Sequence, residues 1–154
     1  MSDAFHRPMT QAELFLDIVL RRVGSDPQAL DNLLGGRGKR NFHASVDYKG
    51  MLSLGLLTDI GQVEHEAVRA NCGGQYHSND VCGLDFMPVT CSQDTAPVYY
   101  YRTENATEDR VRIAYRWAPD GQTVATYLLI RHNGLWQLDG IDCETGDAFN
   151  WGDR

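Results

Sequence analysis

Residues 123–143 read TVATYLLIRHNGLWQLDGIDC and contain the clearest strand and turn patterns of the chain. Its centre, Asn133-Gly134, is typical of a two-residue β-hairpin turn, because both residue types tolerate positive φ. β-Branched and aromatic residues flank the turn on both sides, as they do in paired strands. The stretch therefore predicts two antiparallel strands, over residues 123–131 and 135–143.

Upstream of this hairpin, apolar and polar residues alternate over residues 111–117. The apolar positions are Val111, Ile113, Tyr115 and Trp117. A period of two is typical of a strand with one buried face. Pro119-Asp120-Gly121 then forms a turn, so the strands of this half are expected to follow one another as a meander.

A β-rich aromatic run over residues 98–103 comes before that strand and contains three consecutive tyrosines. On a strand, Tyr99 and Tyr101 point to one face and Tyr100 to the other. Core packing explains the face with two tyrosines. Because exposed tyrosine is enriched at protein interfaces, Tyr100 is a candidate contact residue.

The N-terminal half is typical of helices. Thr10 and Glu13 form a capping box at the start of the first helix. Its expected apolar stripe is Leu14, Phe15, Ile18, Val19 and Leu20, ending at Gly24. Asp26-Pro27 predicts a short second helix over residues 28–34. A third helical stretch is expected over residues 44–70, weakened by three glycines.

The buried side of this third stretch is expected to contain Met51, Leu52, Leu54, Leu56, Leu57, Ile60 and Val63. Helices followed by an antiparallel sheet indicate an α+β fold in which the helices cover one face of the sheet. The expected organisation is one domain over residues 1–154. Residues 10–145 form its body, and residues 1–9 and 146–154 form terminal tails.

The composition excludes several classes of protein. The 154 residues include 14 Lys and Arg against 21 Asp and Glu, which gives a net charge of −7. Nucleic-acid binders and proteins that dock on anionic membranes carry clustered basic surfaces, so neither class is expected. No apolar run is long enough for a transmembrane helix. A hydrophobic content of 42% excludes a disordered chain.

The chain has four cysteines, Cys72, Cys82, Cys91 and Cys143. None forms a C-x2-C pair, so a zinc site is not expected. No other metal and no cofactor is expected either. Their even number favours two disulfides and an oxidising compartment, although three connectivities are open. We favour Cys72–Cys82, which closes a glycine-rich loop, and Cys91–Cys143. The alternative is four reduced, buried thiols in a cytosolic protein.

The first residues, Met1 to His6, lack the basic and apolar regions of a signal peptide. The chain is then either cytosolic or a mature form in which Met1 replaces a leader, and we favour the latter.

Motifs for nucleophiles, phosphate loops and metalloproteases are absent from the sequence. The most distinctive segment, residues 83–94, mixes polar and large apolar side chains between the helical and strand halves. Asp85, Gln93 and Asp94 from this segment, together with Tyr115, are candidates for lining a pocket. Asp and Gln side chains in such segments also often satisfy backbone N–H groups of the loop.

The pattern Leu84-Asp85-Phe86-Met87-Pro88 followed by Gln93-Asp94 resembles a signature of uncharacterised bacterial periplasmic and lipoprotein domains. Residues 134–141, GLWQLDGI, resemble the closing strand of that family. The resemblance implies a nuclear-transport-factor-two-like, or cystatin-like, α+β roll with a cone-shaped pocket. It implies a periplasmic location and no settled activity, and some small envelope proteins of this type act as immunity proteins against secreted toxins.

The first functional hypothesis is therefore a non-enzymatic periplasmic protein that binds a secreted toxin or hydrolase. Its acidic charge favours a basic protein partner. The candidate contact residues are Tyr100 and, in the loop between Cys72 and Cys82, Gln75, Tyr76, His77, Asn79 and Asp80.

The alternative hypothesis is an isomerase- or dehydratase-type enzyme. Asp85 or Asp94 would act as the base and Tyr115 as the polarising donor. A homodimer paired through the sheet face is a third possibility.

Overall fold

A computed structural model describes residues 4–26, 28–29, 32, 48, 50–75, 82–84, 89–92 and 96–144. The elements with described bounds are two helices and four strands. The helices are α1 (Gln11–Gly24) and α2 (Leu54–Cys72). The strands are β1 (Tyr100–Ala106), β2 (Arg110–Arg116), β3 (Thr123–His132) and β4 (Leu135–Cys143). The predicted α+β class is confirmed.

The four strands form one antiparallel meander in the order β1-β2-β3-β4. Asn133 and Gly134 both adopt positive φ, 53° and 76°, in the tight turn between β3 and β4. The strand prediction was close: β4 has the expected bounds, β1 begins two residues later than expected, and Trp117 lies just beyond β2.

The core lies between the helices and one face of the sheet. Its largest fully buried side chains on the strands are Tyr101, Ile113, Tyr115 and Tyr127. α1 packs Leu16, Val19 and Leu20 against them, and α2 contributes Leu56 and Ile60. Tyr99 and Tyr101 are buried and Tyr100 is half-buried, so the predicted facing of the three tyrosines is confirmed.

The capping box of α1 is present as predicted. Of the predicted apolar stripe, Val19 and Leu20 are buried and Phe15 packs partly buried against the core, but the other two residues are not buried. Leu14 and Ile18 are 47% and 52% exposed. The side that faces the sheet contains Ala12, Leu16, Val19, Leu20 and Val23. The physical reason is the 3.6-residue period, which turns Leu14 and Ile18 away from the sheet when this set is buried.

The predicted helical stretch over residues 44–70 begins much later, at Leu54. Gly50 has a φ of 89°, outside the helical region. Leu52 instead makes a parallel bridge with Leu138 of β4, and Ser53 caps α2. Leu54 is consequently 80% exposed rather than buried. Of the expected short helix at 28–34, three residues are described: Gln28 lies in a turn, and Ala29 and Asn32 are helical.

Phe5 and His6 of the N-terminal segment pack against the sheet, although a tail is expected over residues 1–9. His6 and Tyr101 exchange two backbone hydrogen bonds of 2.9 and 2.7 Å at the edge of β1. The Phe5 ring lies under two guanidinium groups, those of Arg102 and Arg116, 4.5 and 3.8 Å from its centre. Residues 146–154, the expected C-terminal tail, lie outside the described residues.

Among the described helices, none is both long and apolar enough to cross a membrane.

Candidate functional site

Two disulfides are present, Cys72–Cys82 and Cys91–Cys143, and these are the pairs favoured from the sequence. The first joins the last residue of α2 to a residue ten positions later. The second joins the segment before β1 to the last residue of β4. Two disulfides indicate an oxidising compartment rather than the reducing cytosol.

The loop closed by Cys72–Cys82 leaves α2 through a well-defined helix end. Gly73 adopts a left-handed conformation with a φ of 67°. Its N–H donates to the Arg69 carbonyl, and the Gly74 N–H donates to the Val68 carbonyl, both at 3.2 Å. A glycine in this conformation ends a helix without the steric penalty that a Cβ would impose.

The chain returns from the loop along the same helix. The Asn71 side-chain amide donates to the Cys82 carbonyl at 3.1 Å. The Leu84 N–H donates to the carboxylate of Glu64, which is fully buried on α2, at 2.6 Å. Both ends of the loop are therefore fixed to the second half of α2 by a disulfide and by hydrogen bonds.

Two of the six predicted contact residues are among the residues that the structure describes. Gln75 is exposed at the beginning of the loop, and Tyr100 is half-buried at the start of β1, opposite Arg116 of β2. Tyr76, His77, Asn79 and Asp80 lie outside the described residues.

Of the four predicted pocket residues, Tyr115 is the one that the structure describes, and it lies in a tyrosine cluster. Its ring centre lies 5.1 Å from that of Tyr99, 6.0 Å from that of Tyr101 and 5.9 Å from that of Tyr127. Its side chain is 1% exposed. The other three predicted residues, Asp85, Gln93 and Asp94, lie outside the described residues.

The hydroxyls of this cluster are hydrogen-bonded. Tyr127 donates to the Val89 carbonyl at 2.7 Å, and Tyr101 donates to Asp17 of α1 at 2.8 Å. The Tyr115 hydroxyl accepts from the Trp117 indole and also bonds Tyr99. Each bond satisfies a polar group that would otherwise be costly to bury.

Burial raises the pKa of Tyr101, Tyr115 and Tyr127, because the phenolate form is poorly solvated in the core. The hydrogen bond to Asp17 raises the pKa of Tyr101 further. These hydroxyls therefore remain protonated at neutral pH and act as hydrogen-bond donors within the core.

A groove of about 330 Å³ lies beside this cluster. Its walls are mainly Trp117, Ala118 and Val124, with Ser92 and Gln122 as polar neighbours. Trp117, at 37% exposure, is both a wall of the groove and a donor to buried Tyr115. Ser92 is the residue immediately before the predicted pocket residue Gln93.

No pattern in the sequence indicates the acidic groups that connect α1 to the sheet. Asp17 contacts Tyr101, and Glu13 contacts Thr103, across 84 and 90 residues. The capping box identified Glu13 only as a local helix cap. Within the part of the chain that the structure describes, no group of three or more His, Cys, Asp or Glu is arranged to hold a metal ion.

Comparisons with protein-family models, curated proteins and solved structures find no match to this chain. Its function is therefore inferred from its own residues and their geometry.

Proposed function

We propose that this chain is a non-enzymatic binding protein of the bacterial periplasm, most specifically an immunity or inhibitor protein that blocks a secreted toxin or hydrolase. The observation that carries this proposal is the fixed base of the Cys72–Cys82 loop, clamped by Asn71 and Glu64 of α2. A loop whose two ends are fixed before binding has less conformational entropy to lose when it meets a partner.

The disulfides and the family resemblance support the proposed location. Two disulfides support an oxidising compartment, and the periplasm is the bacterial one. The proposed finer fold is the nuclear-transport-factor-two-like roll. Helices that cover one face of an antiparallel sheet with irregularities in strand register support this fold.

The contact surface that we propose comprises Gln75, Tyr76, His77, Asn79 and Asp80 of the loop, together with Tyr100. Tyrosine supplies a large contact area at low entropic cost, and asparagine supplies adaptable hydrogen bonding. The net charge of −7 favours a basic partner, because complementary charge accelerates association.

The tyrosine cluster favours this proposal over the enzymatic alternative. That alternative needs Tyr115 as a donor at an open pocket, whereas Tyr115 is 1% exposed and its hydroxyl is bonded to Trp117 and Tyr99. A substrate would have to displace packed aromatic side chains to reach it.

The test is an inhibition experiment with the oxidised, tagged chain. Proteins are captured from native envelope extract and from lysate that expresses the genomic neighbours, and then identified by mass spectrometry. Each captured hydrolase or toxin is assayed with increasing amounts of the chain. We expect its activity to fall to zero at a stoichiometric ratio. If every captured protein keeps its activity, or if the chain is recovered alone, the proposal is wrong.

A matched pair of variants locates the surface. Tyr76→Ala/His77→Ala is expected to weaken inhibition at least tenfold without changing the melting temperature. His65→Ala/Glu66→Ala, on the exposed side of α2, is the control and should inhibit as the wild type does. Equal inhibition by both variants would exclude the loop as the contact surface.

A further inference from the structure

A second site is built from different elements, at the start of α1. A cleft of about 270 Å³ opens there between the helix and the turn ends of the two sheet hairpins. The residues that matter for its chemistry are Ala12, Thr103, Glu108, Val111, Arg131 and Trp136. The volume is close to the lower limit of ligand pockets, roughly 300 Å³, so the cleft suits one small molecule.

The cleft carries two opposite charges that are not paired with each other. Glu108 follows β1, Arg131 is near the end of β3, and both side chains are exposed. Among the ion pairs of the described residues, neither of the two takes part. Arg131 lies 5.7 Å from the centre of the Trp136 ring. A guanidinium offers a donor fork to a carboxylate, and Glu108 accepts from a cation.

Thr103 adds a second acceptor. Its hydroxyl donates to the Glu13 carboxylate at 2.7 Å, so its proton is already committed. Glu13 is 1% exposed and is held in turn by His6 at 3.0 Å and by the backbone N–H of Met9. The hydroxyl oxygen of Thr103 can therefore act only as an acceptor for a ligand. An N–H donor such as an ammonium group would suit it.

The rest of the lining is mixed: Thr10, Gln11 and Thr107 are polar, and the apolar part consists of Ala12, Ala106, Val111 and Trp136. Ala12 and Val111 are nearly buried, and Trp136 is half-buried and packs against the core. An apolar or aromatic group placed against these side chains leaves water favourably.

We propose that this cleft binds a free α-amino acid with an apolar or aromatic side chain. Its ammonium group bonds Glu108 and Thr103, its carboxylate bonds Arg131, and its side chain contacts Val111 and Trp136. Because the site requires both charges on one small molecule, a monovalent amine or a monovalent acid of the same shape binds worse.

The test measures the binding of three ligands of nearly identical shape. Binding is monitored by NMR of the isotopically labelled, oxidised chain. L-Phenylalanine has both charges, phenethylamine lacks the carboxylate, and 3-phenylpropanoate lacks the ammonium group. We expect saturable shifts of the Trp136 indole N–H and of the Thr103 amide with phenylalanine. The two other ligands should bind at least tenfold more weakly, which corresponds to about 1.4 kcal/mol for each lost charge.

Two variants test which side chain binds each charged group of the ligand. Arg131→Gln should weaken phenylalanine at least fivefold and leave phenethylamine unchanged. Glu108→Gln should weaken phenylalanine equally and leave 3-phenylpropanoate unchanged. Glu104→Gln, on β1 but paired with Arg102 outside the cleft, is the control and should bind as the wild type does. Thermal unfolding of each variant verifies that it is folded.

Three results would overturn the proposal. One is the absence of saturable shifts at Trp136 up to the solubility limit of phenylalanine. Another is equal affinity for the three ligands, which would indicate nonspecific aromatic contact. The last is unchanged phenylalanine affinity in both charge variants.

Discussion

The hydroxyl of Tyr101 donates a 2.8 Å hydrogen bond to the carboxylate of Asp17, which lies 84 residues earlier in the chain. Asp17 also accepts a 2.7 Å bond from Arg21, one turn further along α1. Arg21 in turn lies over the Tyr99 ring, at 5.3 Å from its centre. One carboxylate therefore connects the first helix to the tyrosine cluster of the sheet.

Replacing Tyr101 with phenylalanine should lower the free energy of unfolding by about 1–2 kcal/mol, because a buried bond to a charged acceptor is lost. Urea denaturation of the oxidised protein measures this. Tyr100→Phe removes a hydroxyl from the opposite face of the strand and should change stability by less than about 0.5 kcal/mol. Equal losses in the two variants would contradict the importance of the Asp17 bond.

Lowering the pH should reduce the free energy of unfolding, partly through protonation of Glu13. Burial by itself raises the pKa of Glu13, but hydrogen bonds from Thr103, Met9, Thr10 and His6 outweigh it and hold the pKa below its ordinary value of 4.5. A carboxyl with a lowered folded-state pKa stabilises the fold fully above its unfolded-state pKa. This contribution is lost as the pH falls through the lower folded-state value.

Glu13→Gln should therefore cost about 1–3 kcal/mol at neutral pH and progressively less below about pH 4.5. Urea unfolding at a series of pH values measures the difference from the wild type. Glu66→Gln, exposed on α2, is the control and should follow the wild-type profile. A cost for Glu13→Gln that does not vary with pH would contradict this role for the carboxylate.

The two disulfides should stabilise the fold by different amounts. Cys91–Cys143 spans 52 residues and Cys72–Cys82 spans ten. In the chain-entropy model the longer loop contributes about 4 kcal/mol and the shorter about 3 kcal/mol. Cys91→Ala/Cys143→Ala should therefore unfold at a lower urea concentration than Cys72→Ser/Cys82→Ser. The reverse order would show that local packing outweighs loop entropy.

Gly134→Ala should lower the free energy of unfolding by about 1–2 kcal/mol, because an alanine is strained at the φ of 76° in this turn. A Cβ at this position meets no atom within 4 Å, so the cost comes from the backbone alone. Gly121→Ala is the control: its Cβ makes an ordinary 3.4 Å contact with the Ala118 carbonyl. Equal stability of Gly134→Ala and the wild type would contradict the proposed strain.

Local patterns in the sequence determined most of the secondary structure. The two-residue period placed the strands, and Asn133-Gly134 fixed the turn between β3 and β4, because both features depend only on residues close together in the chain. Thr10 and Glu13 fixed the start of α1 for the same reason. Four cysteines with no metal-ligand spacing indicated the two disulfides.

The buried side of α1, the first residue of α2 and the contacts of both helices depend on how the helices pack against the sheet. Leu14 and Ile18 are as apolar as their buried neighbours, and only the position of the sheet leaves them exposed. Leu52 is taken out of the helical stretch by its bridge to Leu138. The bonds of Asp17 and Glu13 to β1, and the cleft beside Thr103, join residues up to 90 positions apart. No local pattern encodes such contacts, because they exist only after the helices have packed on the sheet.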